Sequence, residues 1–206
     1  MLYFETVDPP TLELLNKIMA EPLFSPLRLV GGTAMALQNG HRKSVDLDLF
    51  GEWSMEEDVL TEAVSGMGQI TWLNKLKNIK SLLINGIKVD FVNYSYPWLS
   101  LPVMEGSIRL ADKKDIAPMK LSAITGRGAK KDFTDLYFLL KEVSLNEMIE
   151  LYEKKYPDGS VFLVLKSLIY FEDAEGDEMP QMLKPVSWEA IKQTIVGCHR
   201  QYTNEH

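Results

Sequence analysis

Apolar residues recur along this chain with two different periods, and the switch between them divides it. In the first half, Leu27–Val30 is a short apolar run ending on Gly31-Gly32. Val45–Phe50 alternates apolar and acidic residues, as a strand with two unlike faces does. Leu12, Leu15 and Met19 stand at helical spacing behind Pro9-Pro10, which predicts a helix over Thr11–Ala20. Thr33–Gln38 predicts one or two helical turns closed by Asn39-Gly40. Ser54, with Glu57 three residues on, forms a capping-box pattern and predicts a helix reaching about Val64. Ser81–Ile84 and Ile87–Asn93 flank Asn85-Gly86, the dipeptide that two-residue hairpin turns favour. That turn sets a register in which Ile84 faces Ile87, Leu82 faces Val89 and Ser81 faces Asp90.

Past Pro97 and Pro102 a short strand is predicted over Ser107–Leu110, and from there the period becomes helical. Asp115–Thr125, Lys130–Glu142, Leu145–Tyr156, Ser160–Phe171 and Ser187–Tyr202 are the predicted helices. Ser144 with Glu147 forms a second capping box, and Asp158-Gly159-Ser160 is a turn into a helix. The acidic stretch Glu172–Glu178 reads as a loop. The Trp, Tyr and Met residues of these helices stand at core spacing and are assigned to packing. The expected fold class is α+β: a small mixed sheet followed by a C-terminal helical bundle, divided into a core over 1–110 and a helical region over 111–206.

Composition narrows the function classes. Hydrophobic residues make up 46% and charged residues 25% of the 206, which suits a folded domain and excludes disorder as the main state. No apolar run reaches the ~18–20 residues a bilayer span needs. The N-terminal Met1-Leu2-Tyr3-Phe4-Glu5-Thr6 has none of the features of a signal peptide, so a cytoplasmic protein without membrane partners is expected. The single Cys198 excludes an internal disulfide framework and a cysteine-based zinc site. A net charge of −7 argues against coating nucleic acid by bulk electrostatics. Three basic clusters interrupt it: His41 to Lys43, Lys75 to Lys80 and Arg127 to Lys131. Each such cluster is most often solvated surface, and the last is the best candidate for a basic rim.

Candidate chemistry lies in three features in a telling order. A strand ends in Gly31-Gly32-Thr33 before a short helix, Asp46-Leu47-Asp48 follows on the next strand, and Asp90 lies on the second hairpin arm. Period-two geometry puts Asp46 and Asp48 on one face and Val45, Leu47 and Leu49 on the other. Asp90 joins the pair if its strand lies alongside. Three carboxylates within ~5 Å repel by about 3 kcal/mol per pair at an effective dielectric near 20. A divalent cation removes that repulsion, and hard oxygen donors suit Mg2+ or Mn2+. The glycines let backbone N–H groups and the Thr33 hydroxyl at a helix start approach phosphate oxygens. Taken singly, each feature is commonly a turn or a polar surface.

The run from Leu29 to Phe50, Leu-Val-Gly-Gly-Thr-Ala-Met-Ala-Leu-Gln-Asn-Gly-His-Arg-Lys-Ser-Val-Asp-Leu-Asp-Leu-Phe, resembles the AbiEii/AbiGii-type toxin nucleotidyltransferases. These belong to the DNA polymerase beta-like nucleotidyltransferase superfamily. Asp115 to Ile124 is similar to the family's lysine-bearing helix, and Arg127 to Tyr137 to its following signature. The resemblance covers roughly residues 25–140 with the motifs in family order. It implies a minimal nucleotidyltransferase fold and metal-dependent transfer of a nucleotide from an NTP with release of pyrophosphate. On that resemblance Asp46, Asp48 and Asp90 match the metal ligands, and Gly31, Gly32 and Thr33 the phosphate-gripping turn. Lys120 matches a lysine near the triphosphate, and Asp132 an acidic residue facing the same cleft.

Bland readings stand beside these. Lys120 on a helix is exposed by default, and Asp132 and Asp135 can pair with Lys131 or Arg127. Arg42 and Ser44 orient a phosphate or a carboxylate, or make a structural contact. His41 reads as a loop residue. The expected function is that of a toxin in a toxin–antitoxin or phage-defence pair. Its substrate would be an NTP, its acceptor a hydroxyl on RNA (tRNA included) or protein, and its partner a cognate antitoxin. The alternatives are an antibiotic-type small-molecule nucleotidyltransferase and a non-enzymatic nucleotide-binding or interaction module on the same fold.

Overall fold

In the computed structural model, residues 1–54 and 56–205 are described. They form two compact units: Met1–Ser95 with Pro102–Ala111, and Tyr96–Leu101 with Asp112–His206.

The first unit contains helix α1 (Pro9–Ala20), strand β1 (Arg28–Val30), helix α2 (Gly31–Asn39), β2 (Leu47–Gly51) and α3 (Glu57–Ser65). Strands β3 (Ile70–Leu76), β4 (Ile79–Ile84), β5 (Ile87–Asn93), β6 (Val103–Glu105) and β7 (Ile108–Leu110) complete a seven-stranded mixed sheet. Its order is β3-β4-β5-β2-β1-β7-β6. The β4–β5 hairpin turns through Asn85 and Gly86, both at positive φ (52° and 82°), as a tight right-twisted hairpin requires. The pairs Ile84–Ile87, Leu82–Val89 and Ser81–Asp90 fall as the turn predicts. Next to it β5 runs parallel to β2, pairing Leu47 with Val89, Asp48 with Asp90 and Leu49 with Phe91. Leu47, Leu49, Val89 and Phe91 are fully buried, and Phe91 packs between Phe24 (ring centroids 5.0 Å apart) and Trp53 (5.7 Å). Each such side chain contributes about 1.5–3 kcal/mol of burial, so this apolar face fixes the register and leaves Asp48 and Asp90 together on the other face.

Several local expectations need correction. Pairing in β2 begins at Leu47, so Asp46 precedes the strand, and Val45 is 54% exposed rather than on the buried face. Distant partners hold the backbone just ahead of the strand: the Thr33 hydroxyl donates to the Asp46 carbonyl and the Ser44 N–H to the Thr6 carbonyl. The Ser54–Glu57 capping box does not form. Helix α3 starts at Glu57, and the Glu57 carboxylate instead meets Lys75 at 2.7 Å and Lys80 at 3.7 Å. Strands β3 and β6 were not expected. Both are edge strands with mostly exposed side chains, so they carry no apolar alternation to read.

The second unit is helical: α4 (Lys113–Gly126), α5 (Lys130–Leu139), α6 (Leu145–Lys155), α7 (Val161–Leu168), α8 (Glu172–Glu175) and α9 (Trp188–Glu205). Ser144 and Ser160 accept N–H bonds from Glu147 and Leu163, so both predicted helix starts hold. The acidic stretch expected as a loop begins with the single turn α8. Phe133 is fully buried against Phe171 at 5.0 Å and Trp188 at 5.9 Å. Asp115 and Lys155, both fully buried, pair at 2.7 Å. Asp115 also accepts the Leu99 and Ser100 N–H groups at 2.8 and 3.1 Å, and Lys155 donates to the Pro97 carbonyl at 2.8 Å. Among the described residues no helix is long and apolar enough to cross a membrane.

Candidate active site

The first unit brings its candidate residues together around the β1–α2 junction. The strand gives way directly to the helix at Gly31, whose φ of +67° is strained for any residue with a side chain. An added Cβ there would stand 2.3 Å from the Asp48 Oδ2 atom, so the carboxylate lies over the bare glycine. At Gly32 a Cβ would stand 2.3 Å from the Arg42 Nη2 atom and 3.4 Å from the Ser44 hydroxyl. Arg42 is buried and its Nη1 donates to the Lys43 carbonyl at 2.9 Å, which aims the guanidinium across the helix start.

Thr33, expected at the phosphate-gripping turn, also meets Ser44. The Thr33 hydroxyl is buried, donates to the Asp46 carbonyl and lies 2.8 Å from the Ser44 hydroxyl. The two residues fasten the acidic strand's entry to the first turn of α2, so their contacts here position the carboxylates.

Asp48 and Asp90 are direct neighbours on adjacent strands. Adjacent strands lie about 4.8 Å apart, so the two charges repel by about 3 kcal/mol at an effective dielectric near 20. One side chain that the sequence reading passed over answers this repulsion. Lys88 stands two residues before Asp90, hence on the same face, and its ammonium lies 2.5 Å from Asp90 Oδ2. Burial works against the Lys88 charge. The hydrogen bond to Asp90 and the fields of Asp90, Asp48 and Asp46 outweigh it and raise its pKa above the ordinary lysine value. The period-two spacing of Lys88 and Asp90 was the available signal. Asp90 Oδ1 is buried with no hydrogen-bond partner. Among the described residues, no group of three or more His, Cys, Asp or Glu side chains is arranged to hold a metal ion as it stands.

Lys120 and Asp132 lie in the second unit and are paired with each other. The Lys120 ammonium is 3.0 Å from Asp132 and 2.6 Å from Asp135, and both carboxylates are fully buried. Arg127 Nε also donates to Asp132 at 2.7 Å. Burial opposes the Asp132 charge, but the Arg127 hydrogen bond and the Lys120 and Arg127 charges prevail and lower its pKa. In the Arg127–Lys131 cluster, Arg127 and Lys131 are exposed and Lys130 is buried. Arg127 serves Asp132, and the buried Lys130 donates to the Glu175 carbonyl at 3.1 Å and through its N–H to Asp177 at 2.9 Å.

A mixed sheet carrying paired aspartates beside a glycine-started helix defines a nucleotidyltransferase-type fold. The comparisons agree. Residues 13–201 match the family described as "Nucleotidyl transferase AbiEii toxin, Type IV TA system", and the chain belongs to that family. It is 36% identical over 196 residues to protein aq_aa25 of Aquifex aeolicus (strain VF5), covering 92% of this chain and 94% of that one. Among solved structures it resembles MenT4, a nucleotidyltransferase toxin of Mycobacterium tuberculosis H37Rv. That match has a TM-score of 0.58 at 14% identity and covers 94% of this chain and 86% of MenT4. It also resembles JHP933 of Helicobacter pylori, with a TM-score of 0.57 at 18% identity and coverage of 95% and 93%. At these identities the structural likenesses establish the fold.

Proposed function

We propose that the protein moves a nucleoside monophosphate from an NTP to an acceptor hydroxyl on RNA or protein, as the toxin of an antitoxin-controlled pair acting in the cytoplasm. The observation that carries this reading is the register of Asp48 with Asp90 beside the Gly31 turn. Mg2+ or Mn2+ is the implied cofactor. The residues present fit such an ion: two neighbouring carboxylates of hard oxygen, one with a buried oxygen, Asp90 Oδ1, that has no partner of its own. Asp48 and Asp90 would hold the cation, with Asp46 joining them. Bound there, it would neutralise charge on the triphosphate oxygens.

The chain's own groups do the rest. The N–H groups at the start of α2, which the Val30 N-cap does not cap, and the Arg42 guanidinium beside Gly32 hold phosphate oxygens. Thr33 and Ser44 keep that helix start in line with the acidic strand. The acceptor oxygen attacks the α-phosphorus, the bond from phosphorus to the α–β bridging oxygen breaks, and pyrophosphate leaves. Asp90 takes the proton from the acceptor hydroxyl. Lys120 and Asp132 act as positioning residues: with Asp135 and Arg127 they join the first turns of α5 to α4.

The test supplies each α-labelled NTP with Mg2+ or Mn2+ and total RNA or cell lysate. Label is expected in RNA or protein with the wild type and not with Asp48→Asn. Label in a small cationic acceptor would replace the acceptor class. No transfer under any condition, with nucleotide binding equal in wild type and Asp48→Asn, would overturn the enzymatic reading.

A further inference from the structure

Lys88 lies on the β5 face that carries Asp90, with its side chain 42% exposed and that of Asp90 only 16%. Its ammonium occupies Asp90 Oδ2 and leaves the buried Oδ1 without a partner. A lysine head is a compact, strongly hydrated point charge on a flexible four-carbon stem. It can neutralise a carboxylate as a small cation does and still leave for water. We propose that Lys88 is a resident counter-ion that stands where the divalent cation binds beside Asp90, so that loading the site requires the ammonium to swing out.

The inference rests on the metal-dependent reading of this site and adds a competition to it. The apolar face of the sheet fixes Asp48 and Asp90 as neighbours, and the tethered Lys88 charge offsets their repulsion. The same charge resists a free ion arriving alone. A nucleotide whose phosphates bring the ion and attract the displaced ammonium tips the exchange. Lys88 therefore couples metal loading to nucleotide binding.

The test measures Mn2+ binding to the full chain without nucleotide, by the loss of the free-ion electron paramagnetic resonance signal and by titration calorimetry. Lys88→Met and Lys88→Gln are compared with wild type, Asp90→Asn and Lys77→Met, the last removing an exposed lysine at the β3–β4 turn. Circular dichroism establishes that each variant is folded. Both Lys88 variants should bind Mn2+ about two- to fivefold more tightly than wild type, the factor a half-exposed ion pair allows. Lys77→Met should match wild type, and Asp90→Asn should lose binding. Adding a non-hydrolysable NTP should narrow the gap between wild type and the Lys88 variants. Wild-type or weaker affinity in both Lys88 variants, with Asp90→Asn still defective, overturns this inference and leaves the metal site intact. Equal affinity in all variants, Asp90→Asn included, overturns the metal site as well.

Discussion

Replacing Gly31 with alanine probes the contact between the helix start and the acidic strand. The left-handed backbone at φ +67° costs a residue with a Cβ about 1–2 kcal/mol. The new methyl group would lie 2.3 Å from Asp48 Oδ2, against 3.4 Å for an ordinary contact, so the carboxylate must retreat by about 1 Å. Pushing Asp48 off its rotamer adds about 0.5–1.5 kcal/mol. The stiffer unfolded chain returns about 0.4–1 kcal/mol. The net loss is about 1–3 kcal/mol, read as a lower midpoint in chemical denaturation. Transfer of label from an α-labelled NTP should fall further than stability does, by about a hundredfold, because an ångström of misplacement at a reacting centre costs that much. Gly66→Ala is the control, at φ −79° with nothing within 4 Å of the added atom, and should leave both readings near wild type. Wild-type stability and transfer in Gly31→Ala would refute the placement of Asp48 over the turn.

Other predictions concern the buried charges of the second unit. Lys120→Met removes the ammonium that the buried Asp132 and Asp135 carboxylates share, Asp132 keeping Arg127, and should cost about 3 kcal/mol in denaturation. Lys155→Met should cost ~3–5 kcal/mol and loosen residues 97–100, read as faster amide exchange at Leu99 and Ser100. Because the folded-state pKa of Asp132 is lowered, its contribution is present above the unfolded value of about 3.9 and is lost as the pH falls through the folded value. The stability gap between wild type and Asp132→Asn, about 3 kcal/mol near pH 7, should therefore close in acid below about pH 4. A gap independent of pH would contradict the ion-pair account.

Much of this arrangement was legible because it rests on local rules. Asn85-Gly86 dictates its turn, the turn dictates the pairing of Ser81 with Asp90, and apolar Leu47, Leu49, Val89 and Phe91 leave the aspartates no other face. What escaped depends on partners distant in sequence. Glu57 abandons the helix cap because two lysines of the β3–β4 hairpin reach it. Lys120 is buried, against the habit of helical lysines, because Asp132 and Asp135, three apart on α5, both face it. Of the two partners weighed for Asp132, Arg127 proved to be one, while Lys120 was the one not weighed. The edge strands β3 and β6 lack a buried face, so periodicity had nothing to report there.

The most direct measurement follows α-labelled nucleotide incorporation into total RNA and cell protein by wild type, Asp48→Asn and Asp90→Asn, each checked for native circular dichroism. The side-by-side register of the two aspartates predicts incorporation by wild type and a loss of at least about a hundredfold in either variant, with the double variant scarcely worse than each alone. Incorporation that survives in folded Asp48→Asn or Asp90→Asn would contradict the account.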